Sequence, residues 1–149
     1  MKRFYFRFKT IFDVKKTLEE LKKKELSEIQ ALLRAEEALL KQFLDDEVSC
    51  QDLLSSKLNA KCSGAELVSY REYATALAEA IENQRKNVSV VVQAFEEKRI
   101  ELLTASKEKK VFENLEKRDL TRYKYDVGQE ELRFIDEVAV THYRRAKSA

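Results

Sequence analysis

The amino-acid sequence predicts an all-α fold: a long two-helix antiparallel coiled-coil hairpin with a C-terminal helical overhang. Three observations lead to it. From Leu67 to Phe112, apolar residues recur at alternating spacings of three and four: Leu67, Tyr70, Ala74, Leu77, Ile81, Val88, Val91, Phe95, Leu102, Ala105 and Phe112, with Gln84, Lys98 and Lys109 as the polar members of the series. That repeat puts all fourteen positions on one stripe of a continuous helix, and so long a stripe needs a partner helix to cover it. The chain has no proline and only two glycines in 149 residues, so it lacks an obligatory helix breaker. One short break, Asn59-Ala60-Lys61-Cys62-Ser63-Gly64, divides two helical stretches, and a break of that length folds them back antiparallel.

Taken in order, the elements begin with Met1–Lys9, where Phe4, Phe6 and Phe8 alternate as in an extended segment, while Phe4, Phe8 and Phe12 also fit one helix face. Both readings stay open. The first helix is expected over about 10–58, its stripe being Ile11, Val14, Leu18 and Leu21, then Ile29, Leu32, Leu39, Phe43, Cys50 and Leu53 after a one-residue slip of phase. The turn is expected over about 59–64, with Asn59 ending the first helix and Ser63-Gly64-Ala65-Glu66 forming a capping box for the second. The second helix is expected over about 65–145; Gly128 inside it costs roughly 1 kcal/mol relative to Ala and predicts a local bend or fray. Residues 1–149 would then form a single coiled-coil domain. Folding about residue 61 sets Asp13 opposite Lys109, Glu25 opposite Lys98, and Glu36 opposite Arg85 or Lys86. Seam charges of opposite sign fix a register at some cost in stability. The arms are unequal, about 73 Å and about 120 Å, so the chain after about residue 115 overhangs with Leu115, Leu120, Tyr123, Val127, Phe134 and Val138 unpartnered.

Composition bounds the function. Lys, Arg, Asp and Glu make up 38% of the chain, yet the net charge is only +2, too small to argue for nucleic acid. Its distribution says more: residues 1–24 carry nine basic and three acidic side chains, whereas residues 25–60 carry three and eight. Cys62 would sit at the hairpin tip and Cys50 about 18 Å down one arm, beyond disulfide reach, which points to free thiols in a reducing compartment. No apolar run approaches the ~18 residues of a membrane span. The N-terminus is broken by charge too often for a signal peptide.

No catalytic constellation is present. The phosphate-cradling G-x-x-x-x-G-K-[ST] is absent. His142, the single histidine, sits near a basic C-terminus as a solvated residue, and Asp45-Asp46 and Glu130-Glu131 fit charged helix faces. A two-helix rod has no pocket for general acid/base work. The sequence therefore predicts a protein that is not an enzyme and uses no cofactor or metal. Two features point to partners. Tyr73, Leu77, Ala80 and Gln84 form a ridge at i, i+4, i+7 and i+11, read either as flanking packing or as a binding ridge. Lys107–Lys124 carries seven basic and four acidic residues, read either as a solvated helix or as a docking face for an acidic partner.

These residues together resemble the FliJ family, coiled-coil proteins of bacterial flagellar type III export. The resemblance runs end to end, through Phe4-x-Phe6-Arg7-Phe8, Ile11-Phe12-x-Val14-Lys15-Lys16, Leu67-x-x-Tyr70-x-x-Tyr73, Leu77-x-x-Ala80-Ile81, and Lys107-x-x-Lys110-x-x-Glu113-x-Leu115-Glu116-Lys117-Arg118, then Tyr123, Glu130-Glu131 and Asp136-Glu137. Gly128 departs from the uninterrupted helix of the family. The resemblance implies a stalk like the gamma subunit of rotary ATP synthases, inserted by its terminal helix segments into the hexameric export ATPase to promote its assembly and activity. It implies further partners in the export gate, a membrane protein, and in export chaperones, with no nucleic acid. The location implied is cytoplasmic, peripheral to the inner membrane at the flagellar base, and the process is flagellum biogenesis, with motility and chemotaxis behind it. By resemblance, Phe4, Phe8, Lys107, Lys110, Leu115, Lys117, Arg118, Leu120 and Tyr123 would meet the ATPase, and Tyr73, Leu77, Ala80 and Gln84 the gate. The rival readings are the equivalent stalk of a virulence injectisome and a free-standing coiled-coil chaperone or adaptor. A nucleic-acid-binding hairpin is disfavoured by the acidic half. Neighbouring genes would separate the flagellar from the injectisome stalk, and the most informative single observation is the effect of the chain on ATP hydrolysis by a flagellar-type ATPase.

Overall fold

A computed structural model describes residues 3–147. Two helices, α1 (Lys9–Asn59) and α2 (Gly64–Lys147), pack against each other as an antiparallel hairpin. No strand occurs among the described residues. The start of α1 is set by a turn in which the Lys9 N–H donates to the Phe6 carbonyl at 3.2 Å, followed by Phe12 N–H to Phe8 carbonyl at 2.9 Å. At the other end, α1 ends at Asn59 as expected, and Lys61 takes a positive φ of 51° that reverses the chain. Ser63 caps α2: its Oγ accepts the Glu66 N–H at 3.3 Å, the half of the capping box that satisfies an orphan amide. Gly128 lies within the unbroken α2, without the helix break that would accompany a fray.

Contacts divide the chain into two compact units. One is Glu20–Leu103, which contains the turn. Its buried side chains are Cys50, Leu77, Ile81 and Gln84. Gln84 Nε2 donates to the Glu36 carbonyl at 3.1 Å and also to the Glu36 carboxylate. Glu25 meets Lys98 at 3.0 Å, as the register expectation has it, and Lys22 meets Glu101 at 2.8 Å. The other unit joins the described residues up to Glu19 with those from Thr104 onward. Phe6, Phe12, Ala105 and Glu19 are buried there. The Glu19 carboxylate takes Lys109 at 2.7 Å and the Ser106 hydroxyl at 2.7 Å, and Lys15 pairs with Glu108 at 2.5 Å.

Every one of the fourteen α2 stripe positions from Leu67 to Phe112 is buried or half-buried. The stripe expected on α1 is met in part: Cys50 is buried and Leu18, Ile29 and Phe43 are half-buried. Ile11, Val14, Leu21, Leu32, Leu39 and Leu53 are exposed. The inward positions are Phe12, Lys15, Glu19, Lys22, Leu26, Ile29, Leu33, Glu36, Leu40, Phe43, Glu47, Cys50, Leu54 and Lys57, an unbroken three-four repeat with no slip of phase. Charged residues hold six of those positions. They turn inward because several find a charged or amide partner on α2, which offsets part of their desolvation.

Two of the expected ion pairs change for the same reason. Lys109 pairs with inward Glu19, while Asp13, one residue past Phe12 and exposed, takes Lys9 at 2.9 Å. Glu36 meets inward Gln84, and Arg85 and Lys86 turn to the outer surface. Cys50 and Cys62 are free thiols, Cys50 buried and Cys62 half-buried.

Candidate functional site

The unit carrying the described terminal residues holds most of the candidate side chains. Its residues 3–6 have no regular structure, and three phenylalanines seat this N-terminal segment. Phe6 is 4% exposed and stands edge-on to Phe8 at 5.9 Å and to Phe12 at 6.4 Å between ring centroids. Such edge-to-face pairs are the geometry aromatic quadrupoles favour. Phe8 reaches Phe112 of α2 at 6.3 Å, and Phe4 reaches Tyr123 at 5.5 Å. The Lys16 ammonium lies 4.1 Å from the centroid of the Phe12 ring, a cation–π contact. The alternation of Phe4, Phe6 and Phe8 thus belongs to a non-helical segment packed across α2. It also moves the overhang: Leu115, Leu120 and Tyr123 are half-buried, and the run in which every described residue is exposed begins only after residue 129.

Beyond that point α2 continues with Leu132, Phe134, Ile135, Val138, Val140 and Tyr143 exposed. Phe134 and Val138 extend the line of Tyr123 and Val127 along the helix at spacings of four, seven and four residues, which keeps the four on one helix face. Leu132, Ile135 and Tyr143 open a second apolar face that the sequence reading missed, because charged neighbours interrupt their period. Val127, Phe134 and Ile135 border one shallow groove with Glu130 and Glu131.

Lys107, Lys110, Lys117 and Arg118 all face outward on α2. Lys110 and Lys117 share Glu113, at 3.5 and 2.6 Å, and Arg118 lies 3.7 Å from Asp119. The Lys117 ammonium, with help from Lys110, holds the Glu113 carboxyl below its ordinary pKa. These local pairs offset part of the positive charge, which makes the segment a mixed rather than a uniformly basic face.

The four ridge residues lie in the other unit and do not share one surface. Tyr73 is exposed and Ala80 half-buried, whereas Leu77 and Gln84 are buried in the helix seam at 6% and 4%. An outside molecule can therefore touch Tyr73 and Ala80, while Leu77 and Gln84 hold the helix beneath them.

Among the described residues, no helix is long and apolar enough to cross a membrane. Within the same residues, no group of three or more His, Cys, Asp or Glu is placed to hold a metal ion. His142 is exposed on the outer part of α2.

Neither the curated proteins nor the solved structures compared with the chain match it. A family profile described as flagellar FliJ protein matches residues 4–148, which takes in the N-terminal aromatic segment, both helices and the exposed end of α2. The chain belongs to the FliJ family and is a component of the flagellar protein-export apparatus.

Proposed function

We propose that this protein is a stalk-like subunit that engages the hexameric flagellar export ATPase through the unit carrying its termini, promoting assembly and activity of the ring. The observation that carries the reading is the apolar line on α2 that runs from half-buried Val127 to open Phe134 and Val138, 67% and 38% exposed. A helix with such a line gains by burying it against another helix or a ring lumen. Lys107, Lys110, Lys117 and Arg118 border the approach, Leu115, Leu120 and Tyr123 lie along the same stretch, and Phe4 and Phe8 pack upon it. The exposed cations steer an acidic partner, and that steering weakens as salt screens charges beyond ~8 Å at physiological ionic strength.

The same reading places a contact for the membrane-embedded export gate at Tyr73 and Ala80 in the unit that contains the turn. It assigns export-chaperone handling to the chain as well. The protein would then work in the cytoplasm at the flagellar base. Its own chemistry is mechanical: it supplies surface and register, and the ATPase supplies hydrolysis.

The test is ATP hydrolysis by a purified flagellar export ATPase with the chain added. Reversing Lys110, Lys117 and Arg118 to Glu is expected to lower stimulation and to flatten its salt dependence. Full stimulation by the reversed protein, with unchanged salt dependence, would contradict a contact at this surface.

A further inference from the structure

Resting on the ATPase-contact reading, we infer that residues 3–5 form a detachable strap. In this assignment the strap occupies the first position of the line that the partner takes, so strap and partner exclude each other. Tyr123, Val127, Phe134 and Val138 lie on one face of α2. Phe4 already covers Tyr123, at 5.5 Å between ring centroids, while Phe134 and Val138 stand open. A helix that docks along the whole line needs the Tyr123 face, and two aromatic groups cannot occupy it at once.

The segment is built to let go at one end only. Phe6 is 4% exposed, edge-on to both Phe8 and Phe12, and its carbonyl accepts the Lys9 N–H at 3.2 Å. That makes Phe6 a fixed anchor. On the outer side of the anchor, Phe4 is half-buried and Tyr5 is 82% exposed. An open groove of about 520 Å³, bordered by Arg3, Phe4, Tyr5, Phe6, Lys9 and Glu116, lies beside residues 3–6. Residues 3–5 can therefore leave Tyr123 by a change of backbone torsions near Tyr5 while the Phe6 cluster stays packed. While the strap is seated, the docking-competent fraction of the protein is reduced, and apparent affinity falls by that fraction.

The strap gives Phe4 the opposite sign from a direct contact. If Phe4 touched the ATPase, its loss would weaken binding; as a competitor, its loss strengthens it. The experiment uses the full chain with Cys62→Ser and a cysteine pair, Phe4→Cys with Tyr123→Cys. The pair is oxidised to lock the strap or reduced to free it, and the bridge is identified by mass. Affinity for the purified flagellar export ATPase is measured in both forms, and separately for Phe4→Ala in the otherwise native chain.

The expected result is an intramolecular bridge between positions 4 and 123, at least a tenfold loss of affinity on locking that reduction restores, and roughly three- to tenfold tighter binding by Phe4→Ala. Equal affinity of the locked and reduced forms overturns the strap while leaving the contact reading in place. Failure of the bridge to form, or weaker binding by Phe4→Ala, overturns it as well. If wild type, reduced pair and Phe4→Ala all fail to bind, the contact reading itself falls and the strap with it.

Discussion

Glu25, Glu101, Lys22 and Lys98 form a four-member ion cluster between α1 and α2 in the Glu20–Leu103 unit. Hydrogen bonds from Lys22, and then from Lys98, hold the Glu25 and Glu101 carboxyls below the ordinary glutamate value of 4.5. Both lysines are raised above 10.5, Lys22 chiefly by Glu101 and Lys98 chiefly by Glu25. A depressed carboxylate binds fewer protons folded than unfolded, so its stabilisation is present above 4.5 and is lost as pH falls through the folded values. The raised lysines contribute below 10.5 and lose that contribution as pH rises through their folded values. The expected outcome is a melting-temperature gap between wild type and Glu25→Gln/Glu101→Gln that is widest near neutral pH and closes on acidification toward pH ~3. A gap of constant size across that range would contradict the cluster. Phe12, 2% exposed under Lys16, gives a second expectation at this scale: Phe12→Ala should cost about 3–5 kcal/mol of unfolding free energy in denaturant titration.

At the scale of the element, α2 was legible in the sequence because nearly every inward position from Leu67 to Phe112 is apolar, and the few polar ones find partners. The turn was legible through Ser63. The inward face of α1 was legible only in part. Lys15, Glu19, Lys22, Glu36, Glu47 and Lys57 occupy inward positions while Ile11, Val14, Leu21, Leu32 and Leu39 face out, so a count of apolar periodicity finds Ile29, Phe43 and Cys50 but misses the charged members of the stripe. What turns α1 is pairing across the seam, Glu19 with Lys109 and Glu36 with Gln84, and pairing depends on a helix elsewhere in the chain. The site was legible in its residue types but not in its arrangement. Tyr123 was expected to be bare because an extended Phe4 has no periodicity that marks its target. Gly128 supplies a test within α2. A Cβ built there meets nothing within 4 Å, so Gly128→Ala should stabilise the helix by up to about 1 kcal/mol. Circular dichroism melting checks this; a loss of helicity would mean that the backbone at Gly128 is needed in another conformation. Tyr73→Ala belongs to the same scale. An exposed side chain should cost within about 0.5 kcal/mol of stability, so reduced capture of the export gate at an unchanged melting temperature would support a gate contact there, and undiminished capture would remove it.

For the molecule as a whole, the proposed ATPase contact belongs to the unit carrying the described terminal residues and not to the turn. Two variants separate these regions without disturbing the packed seam. Truncation after Glu130 removes side chains that are exposed throughout the described part of the deleted segment, so the rest of the chain should melt at an unchanged temperature. Lys61→Gly places glycine where φ is already 51°, a conformation it adopts without strain. The most direct measurement is ATP hydrolysis by the purified flagellar export ATPase titrated with wild type and each variant. The expected outcome is that the truncated protein, though folded, stimulates at least tenfold less than wild type at equal concentration, and that Lys61→Gly stimulates like wild type. Full stimulation by the truncated protein, together with loss of stimulation in Lys61→Gly, would contradict it and place the ATPase contact at the turn.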